Sequence, residues 1–303
     1  MTHLPTINAL GTQFWIEIWD DVPQTTLTTI HTRIEGLLLD FENTYSRFKS
    51  DSLLSQLNQT GSLANPSLAF RDLLLCGLGL YDKTRGLCNM MVGETLEASG
   101  YDQNYSFTPK SCTADIPNPH DILTITPTTI TLTRGRIDIG GYGKGLVIDQ
   151  IATLLRDEYS LSYFLINGGG DMYGTSNHGK PITLYLEHPT IPDTYLGTVD
   201  LVNQGFAASS IHKRAWRYNG KSYHHIIDTH TGPNQVAEKS DASFVVAATA
   251  LDADVFATIA LIAPPVLLEK FAIQYELGVA TFSLPSTLSF NIAFDLQTIP
   301  KPV

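Results

Sequence analysis

The chain has 303 residues and a formal net charge of −11, from 30 acidic and 19 basic residues. This length allows one large domain or two closely associated lobes. Because the sequence contains no basic run or stripe, nucleic acid is excluded as an expected partner. No apolar stretch reaches the ~18 residues of a membrane span, and the first residues lack the pattern of a signal peptide. We therefore expect a cytoplasmic protein with no membrane span, with an exported mature form as the alternative location.

The three cysteines are Cys76, Cys88 and Cys112. Their number is odd and no Cys-x-x-Cys pair occurs, which argues against both a disulfide framework and a zinc site. We expect ordinary thiols in a reducing compartment.

Hydrophobic spacing in the first hundred residues predicts one strand followed by three helices. Residues 12–19 alternate between apolar and polar side chains, as a half-buried strand does. Pro23 begins a long helical pattern, and shorter helices are predicted over residues 53–57 and from Pro66 to Gly86. Asp51 is the predicted N-cap of the second helix.

The rest of the chain mixes strands and helices without a strict βαβ period. Residues 106–127 are rich in Pro and Thr and are predicted to form a surface loop. Arg134-Gly135 predicts a hairpin between residues 129–133 and 136–139. Further strands are predicted over residues 163–166, 182–187, 197–201, 243–248, 278–284 and 288–294, with helices after residue 145 and over residues 251–262. This mixture favours an α+β fold.

Two glycine-rich segments are candidates for ligand contact. Residues 137–145 spell Ile-Asp-Ile-Gly-Gly-Tyr-Gly-Lys-Gly, which differs in spacing from the dinucleotide-binding Gly-x-Gly-x-x-Gly. Residues 167–171 spell Asn-Gly-Gly-Gly-Asp and end a buried strand. Glycines there either bring the backbone close to a ligand or simply form turns, with Asp171 fixing the loop.

Two later segments carry polar chemistry. Residues 223–233 spell Tyr-His-His-Ile-Ile-Asp-Thr-His-Thr-Gly-Pro. Asp254 and Thr258 lie four residues apart on a predicted helix, so they share one face and offer the hard oxygen ligands that Mg²⁺ accepts. Taken alone, the same pair also fits a solvated helical face or a hydroxyl bonded back to the helix.

In this order, the four segments resemble the ApbE family, the FAD:protein FMN transferases, over about residues 8–295. The resemblance implies an α+β fold of two interlocked lobes with the ligand cleft between them. It also implies that residues 1–303 form a single domain of this type.

The resemblance implies a set of functional residues. Mg²⁺ would be held by the Asp254 and Thr258 side chains and the Gly141 carbonyl. His225 matches the position of a general base, with a structural histidine as the alternative. Contacts to FAD, the substrate, are implied for Leu10, Phe48, Ala98, Ser99, Gly100, Asp138, Lys144 and Ile227.

The sequence departs from the family pattern at several of these places. Leu10 stands where the family usually has Met, and Ser99 stands where it commonly has Trp, which removes a large wall of the flavin pocket. Ala208 interrupts the usual Ala-Thr-Ser-Gly, and Thr229 replaces a Pro. The predicted metal ligands are unaffected.

The leading hypothesis is an Mg²⁺-dependent transferase that moves FMN from FAD to a Thr or Ser hydroxyl of an acceptor protein and releases AMP. One alternative is an FAD pyrophosphatase, in which water replaces the acceptor hydroxyl and FMN and AMP are released. The other is a flavin-binding protein without catalysis, suggested by Ser99 and Ala208.

Overall fold

The structure is a computed structural model that describes residues 1–110, 115–176, 179–233, 240–283, 287–290, 294 and 299–300. The α+β class predicted from the sequence is confirmed. The helices are α1 (Gln24–Tyr45), α2 (Leu53–Thr60), α3 (Leu68–Lys83), α4 (Gly93–Ala98), α5 (Pro119–Ile122), α6 (Gly143–Thr153), α7 (Ala250–Ile262) and α8 (Pro265–Gln274). Two short irregular turns of helix cover Met90–Val92 and Leu154–Glu158.

The strands are β1 (Thr2–His3), β2 (Ile7–Ala9), β3 (Thr12–Ile18), β4 (Ser62–Ala64), β5 (Leu123–Ile125), β6 (Thr129–Leu132), β7 (Tyr163–Asn167), β8 (Asp171–Ser176), β9 (Ile182–Glu187), β10 (Thr194–Leu201), β11 (Gln204–Ser210), β12 (Ala215–Tyr218), β13 (Lys221–His224), β14 (Ile227–Asp228), β15 (Gly232–Pro233), β16 (Ala242–Ala247), β17 (Gly278–Ser283), β18 (Thr287–Phe290) and β19 (Ile299–Pro300).

The chain forms two compact units. The first unit comprises Met1–Leu39, Tyr142–His212 and Lys239–Val303, and the second comprises Asp40–Gly141 and Lys213–Glu238. Among the described residues, no helix combines the length and the apolar character needed to cross a bilayer. Neither Cys76 nor Cys88 is in a disulfide within that part of the chain, and Cys112 lies outside it.

The first unit is built on one large antiparallel sheet. Its strand order is β1-β3-β7-β8-β11-β16-β17-β18, with β2 paired to β3, and a separate small sheet has the order β19-β10-β9. Helix α7 packs against β11 and β16 on the sheet and against α6. Most of its residues are buried, as expected for a helix that is apolar on nearly all sides.

The second unit consists of helices α2 to α5 with small antiparallel sheets. The strand order of the largest is β4-β6-β5, and β12-β13 and β14-β15 form two-stranded ribbons. Helix α2 is capped by Ser52, whose hydroxyl accepts the backbone N–H of Ser55 at 3.0 Å. The sequence prediction of Asp51 as the cap was therefore wrong by one residue.

Two other predictions in the second unit were wrong. The predicted loop over residues 106–127 contains α5 and β5, because Asn118 caps a helix that begins at Pro119 and β5 then pairs with β6. Residues 136–139 form no strand. The side-chain amide of Asn58 instead bonds both backbone groups of Ile137, at 2.8 and 2.9 Å.

The long helices and the central strands were predicted correctly. The structure confirms the strand predicted from residue 12, which is β3, and the long helix after Pro23, which is α1. It also confirms β7, predicted from residue 163, and α7, the helix that carries Asp254. Strands β8 and β11 were not predicted, since their Gly, Ala and Ser residues carry little strand signal. Of the predicted C-terminal hairpin, β17 and β18 are paired, while residues 284 and 291–293 lie outside the described residues.

A glycine in β11 sets how closely α7 approaches the sheet, and this predicts a stability effect. A Cβ atom at Gly205 would collide with the backbone carbonyl oxygen of Thr249, the N-cap of α7. We expect Gly205→Ala to lower the free energy of unfolding by about 1–3 kcal/mol. Urea denaturation measures this change.

The matched control is Gly36→Ala in α1, where an added Cβ would meet nothing within 4 Å. That variant should be stabilised by up to about 1 kcal/mol through helix propensity. Equal effects of the two substitutions would contradict the close approach at Gly205.

Candidate functional site

Helix α6 begins directly against the first turn of α7. The backbone N–H of Gly145 donates to Asp254 Oδ2 at 2.9 Å. A Cβ atom at Gly145 would lie 2.6 Å from the carbonyl oxygen of Ala250, so only glycine allows this approach. The glycine-rich segment of the sequence thus positions one predicted metal ligand.

Lys144 contacts two buried carboxylates. Its Nζ forms an ion pair with Asp171 Oδ2 and lies 3.6 Å from Asp254 Oδ1. Asp171 and Asp254 are each only 4% exposed. One ammonium group therefore faces two carboxylates, which leaves a net negative charge in a largely dry environment.

The two end residues of the Asn167–Asp171 segment bond to different partners. Asn167 Oδ1 accepts the backbone N–H groups of Gly169 and Gly170 at 3.0 and 3.1 Å, which fixes the loop. Asp171 instead points its carboxylate at Lys144. The sequence alone did not reveal this pairing, because the two residues are 27 positions apart.

Thr258 lies one turn after Asp254 on α7, and its Oγ1 is 3.4 Å from the Ser209 Oγ of β11. Within the described residues, no group of three or more His, Cys, Asp or Glu side chains could hold a metal ion. A cation bound here would thus need few carboxylates and other oxygen donors. One carboxylate with hydroxyl oxygens beside it fits Mg²⁺, which keeps several waters or phosphate oxygens as ligands.

The N-terminus of α7 is fixed by hydrogen bonds to another carboxylate, that of Asp149. Asp149 of α6 accepts the backbone N–H groups of Ala250 and Leu251 at 2.8 and 2.9 Å. Burial raises the pKa of Asp149 to about 6, and the hydrogen bonds from Leu251 and Ala250 only partly oppose this. The helix that carries Asp254 is thus fixed at its start from α6.

In the second unit, Asp138 has two partners. Its Oδ1 accepts the backbone N–H of Gly140 at 2.6 Å, and its Oδ2 forms a buried ion pair with Arg47 Nε. Arg47 Nη2 also donates to the carbonyl oxygen of Tyr101 at 2.9 Å. Asp138 therefore both forms a turn before Gly141 and orients Arg47.

An aromatic group lies next to Arg47, which contacts two of its rings, Phe48 and Tyr101. The guanidinium lies 4.2 Å from the ring centroid of Phe48, and the Tyr101 ring is stacked with that of Trp216 at 6.0 Å. Of this group, only Phe48 was a predicted site residue. The full group is Phe48, Tyr101, Tyr105, Phe107, Trp216 and Tyr223.

Two predicted residues of the His-Ile-Ile-Asp segment lie beside this group. Ile227 is buried against Leu96, Tyr101 and Trp216. The half-buried His225 ring has its centroid 6.1 Å from that of Tyr101. Asp228 accepts the backbone N–H groups of the next turn, and Thr229, in place of the usual Pro, donates to the Gly86 carbonyl at 2.8 Å.

The remaining predicted residues lie in turns or at the end of α4. Leu10, with φ 54°, and Gly11 join β2 to β3 in the first unit. Ser99 is buried after α4 and its hydroxyl donates to the Thr95 carbonyl at 2.8 Å. Gly100 has φ 93° and accepts the backbone N–H of Phe107 at 2.9 Å. Ala98, whose carbonyl accepts from the Lys110 N–H at 2.8 Å, ends α4. The predicted contacts of these residues with FAD stay predictions.

Of the three predicted metal ligands, the structure places Asp254 and Thr258 on one helix of the first unit. Gly141 is the last residue of a segment of the second unit. Its part in a metal site stays a prediction.

Known proteins resemble this chain along most of its length. A model of the ApbE family matches residues 10–281. An FAD:protein FMN transferase of Haemophilus influenzae is 26% identical over 248 residues, which are 74% of this chain and 70% of the relative. One from Klebsiella pneumoniae is 25% identical over 268 residues, 81% of this chain and 74% of the relative.

Solved structures show the same fold. The ApbE protein of Thermotoga maritima gives a TM-score of 0.81 at 19% identity, covering 96% of each chain. The flavin transferase ApbE of Vibrio cholerae gives 0.73 at 19% identity, also covering 96% of each chain. At this identity, the likeness establishes the fold.

The raised pKa of Asp149 predicts a pH dependence of stability. Because the folded-state pKa, about 6, exceeds the ordinary value of 3.8, the folded state favours the protonated acid. The resulting stabilisation is complete below pH 3.8 and is lost as the pH rises through 6. From pH 4 to pH 7, this group should lower the free energy of unfolding by roughly 2.5 kcal/mol.

Asp149→Asn removes the titration while keeping one oxygen acceptor for the α7 backbone. The difference in unfolding free energy between the unmodified protein and this variant should therefore fall with rising pH. Urea denaturation at several pH values measures that difference. A difference that is constant or grows with pH would contradict the assignment.

Proposed function

The chain belongs to the ApbE family, and on this premise we propose that it is an FAD:protein FMN transferase that requires Mg²⁺. The name is that of its relatives in Haemophilus influenzae and Klebsiella pneumoniae. The observation that carries the proposal is the arrangement of Lys144 between the buried carboxylates of Asp171 and Asp254.

The proposed reaction divides the pyrophosphate of FAD. The hydroxyl oxygen of a Thr or Ser residue of an acceptor protein attacks the phosphorus of the FMN half and forms a phosphoester bond. The bond from that phosphorus to the bridging oxygen breaks, and AMP leaves with the bridging oxygen. The hydroxyl proton passes to a base. Such a transfer depends mainly on positioning and on neutralising phosphate charge.

The proposed cation ligands are the Asp254 carboxylate, the Thr258 hydroxyl and the Gly141 carbonyl. A bound Mg²⁺ would stabilise the negative charge that develops on the phosphate oxygens. Two features of the first unit support this set. The two carboxylates of Asp171 and Asp254 face only one ammonium group, that of Lys144, so one negative charge is left over. The backbone N–H of Gly145 donates to Asp254 Oδ2 and thereby orients this carboxylate.

Lys144 has two proposed tasks. By pairing with Asp171 and Asp254, its ammonium group fixes the direction of the Asp254 carboxylate. As a partly exposed positive charge at the start of α6, it also gives anionic phosphate a favourable contact, aided by the positive end of the helix.

His225 is the proposed general base for the acceptor hydroxyl. An imidazole titrates near neutral pH and can take one proton in this step. Its place beside Tyr101 in the aromatic group supports a role next to bound substrate. The proposed partners are FAD and an acceptor protein with a Thr or Ser site, and the proposed location is the cytoplasm.

Removing the Asp254 carboxylate tests the metal assignment. We expect Asp254→Ala to abolish AMP release and acceptor modification, because the two proposed ligands that remain, a hydroxyl and a carbonyl, are uncharged and cannot hold the cation. Thr258→Ser should keep activity within a few-fold, whereas Thr258→Ala should lose most of it. The assay is AMP release from FAD with the acceptor present.

The control is Glu269→Gln, an exposed carboxylate on α8. It should release AMP at the unmodified rate, and circular dichroism should show each variant folded. Full activity in Asp254→Ala would contradict the proposal that Asp254 binds Mg²⁺.

Replacing His225 tests the proposed base. We expect His225→Gln to slow transfer by about 10²–10⁴-fold and to remove the rise of the rate with pH near neutrality. His230→Gln, an exposed histidine five residues on, is the matched control and should retain the normal pH profile. A His225→Gln profile of unchanged shape would favour a structural histidine.

A further inference from the structure

A short loop after α4 exposes two aromatic side chains. In residues 101–108, here called the aromatic loop, Tyr105 is 45% exposed and Phe107 is 41% exposed. Both have left-handed backbones, with φ of 49° and 48°. Such a conformation is unfavourable for a bulky residue, so the surrounding structure must hold it.

Asp102 and Gly100 hold the loop in this shape. The Asp102 carboxylate accepts the backbone N–H groups of Asn104 and Ser106 at 3.1 and 3.0 Å and the Ser106 hydroxyl at 2.7 Å. The hydrogen bond from the Ser106 side chain is the main cause that lowers the pKa of Asp102. A Cβ atom at Gly100 would lie 2.6 Å from Thr108 N, so glycine is needed where the loop closes.

The exposed Tyr105 ring lies on Phe48, a predicted flavin contact. The two rings are stacked with centroids 5.0 Å apart and planes 8° apart. The Arg47 guanidinium also lies over the Phe48 ring, at 4.2 Å. Gln103 Nε2 donates to the Phe48 carbonyl at 3.1 Å and ties the loop to it. With Phe48 contacted in this way, Tyr105 is the more exposed flat ring of the pair.

The same surface continues to a second predicted flavin contact. The ring centroids of Phe107 and Trp216 are 5.3 Å apart. Trp216 and Ile227 belong to the same buried hydrophobic cluster. The Trp216 Nε1 and Arg47 Nη1 atoms are buried donors for which the described residues supply no acceptor. The aromatic loop thus extends a group of residues already expected to meet the ligand.

We propose that Tyr105, supported by Phe107, provides the flat wall for the isoalloxazine ring of FAD that Ser99 cannot provide. Ser99 is small, buried and bonded to Thr95, so it has no surface to offer a ring. An exposed phenol ring offers the offset stacking that flat heteroaromatic rings prefer. This inference rests on the proposed function.

The test is a substitution that removes the Tyr105 ring with a residue that tolerates the left-handed backbone at this position. Asn tolerates the left-handed conformation better than Tyr does, so Tyr105→Asn should keep the unfolding midpoint. It should weaken FAD binding by on the order of tenfold or more, as loss of a stacking ring does. Isothermal titration calorimetry measures the Kd for FAD. Phe107→Asn is a second variant, because Phe107 has the same left-handed backbone as Tyr105.

The control is Tyr185→Asn, which removes a 48% exposed aromatic ring from β9 of the first unit. It should leave FAD affinity unchanged. With FMN as the probe, Tyr105→Asn should lose affinity by the same factor as with FAD, and with AMP it should lose none. Loss of AMP affinity instead would place adenine on Tyr105 and overturn the assignment.

The outcomes separate this inference from the proposed function. If Tyr105→Asn and Phe107→Asn bind FAD as tightly as the unmodified protein and still modify the acceptor, the inference fails while the transferase stands. If the unmodified protein binds no FAD, both fail. If the variants lose stability in proportion to their affinity, the rings have a structural role and the inference fails.

Discussion

The contact of Lys144 with two buried carboxylates is the constraint around which the first unit is arranged. Lys144 extends from the start of α6, Asp171 begins β8, and Asp254 lies on α7, so one ammonium group joins three elements. Removing one partner of a buried ion pair typically costs about 3–5 kcal/mol. Gly145, beside Lys144, permits the approach of α6 to α7. The surplus carboxylate charge supports the proposal of a divalent cation.

The two units carry different parts of the proposed chemistry. The first contains the carboxylates, the hydroxyl of Thr258 and the lysine, which suit a metal ion and phosphate. The second contains the aromatic group next to Arg47 together with His225, which suit a flat ring and a proton transfer.

How much could be predicted from the sequence depended on how local each signal was. The long helices and the Asp254/Thr258 face follow from helical spacing, and the family resemblance follows from four ordered motifs. The pairing of Lys144 with Asp171 and the stacking of Tyr105 on Phe48 could not be predicted, because they join residues far apart in the chain. Likewise, only residues 106–108 of the aromatic loop belonged to the predicted Pro- and Thr-rich segment, and no local pattern indicated its ordered aromatic rings.

The most direct test of the central claim is a single assay on the unmodified protein. FAD is incubated with a Thr-containing acceptor protein, with and without Mg²⁺, while AMP is quantified and the acceptor is weighed by mass spectrometry. We predict that AMP is released in a one-to-one ratio with acceptor molecules that are heavier by one FMN phosphoester, and that both products form only with Mg²⁺. Bound FAD that never yields AMP would contradict this prediction, and AMP with free FMN alone would show hydrolysis instead of transfer.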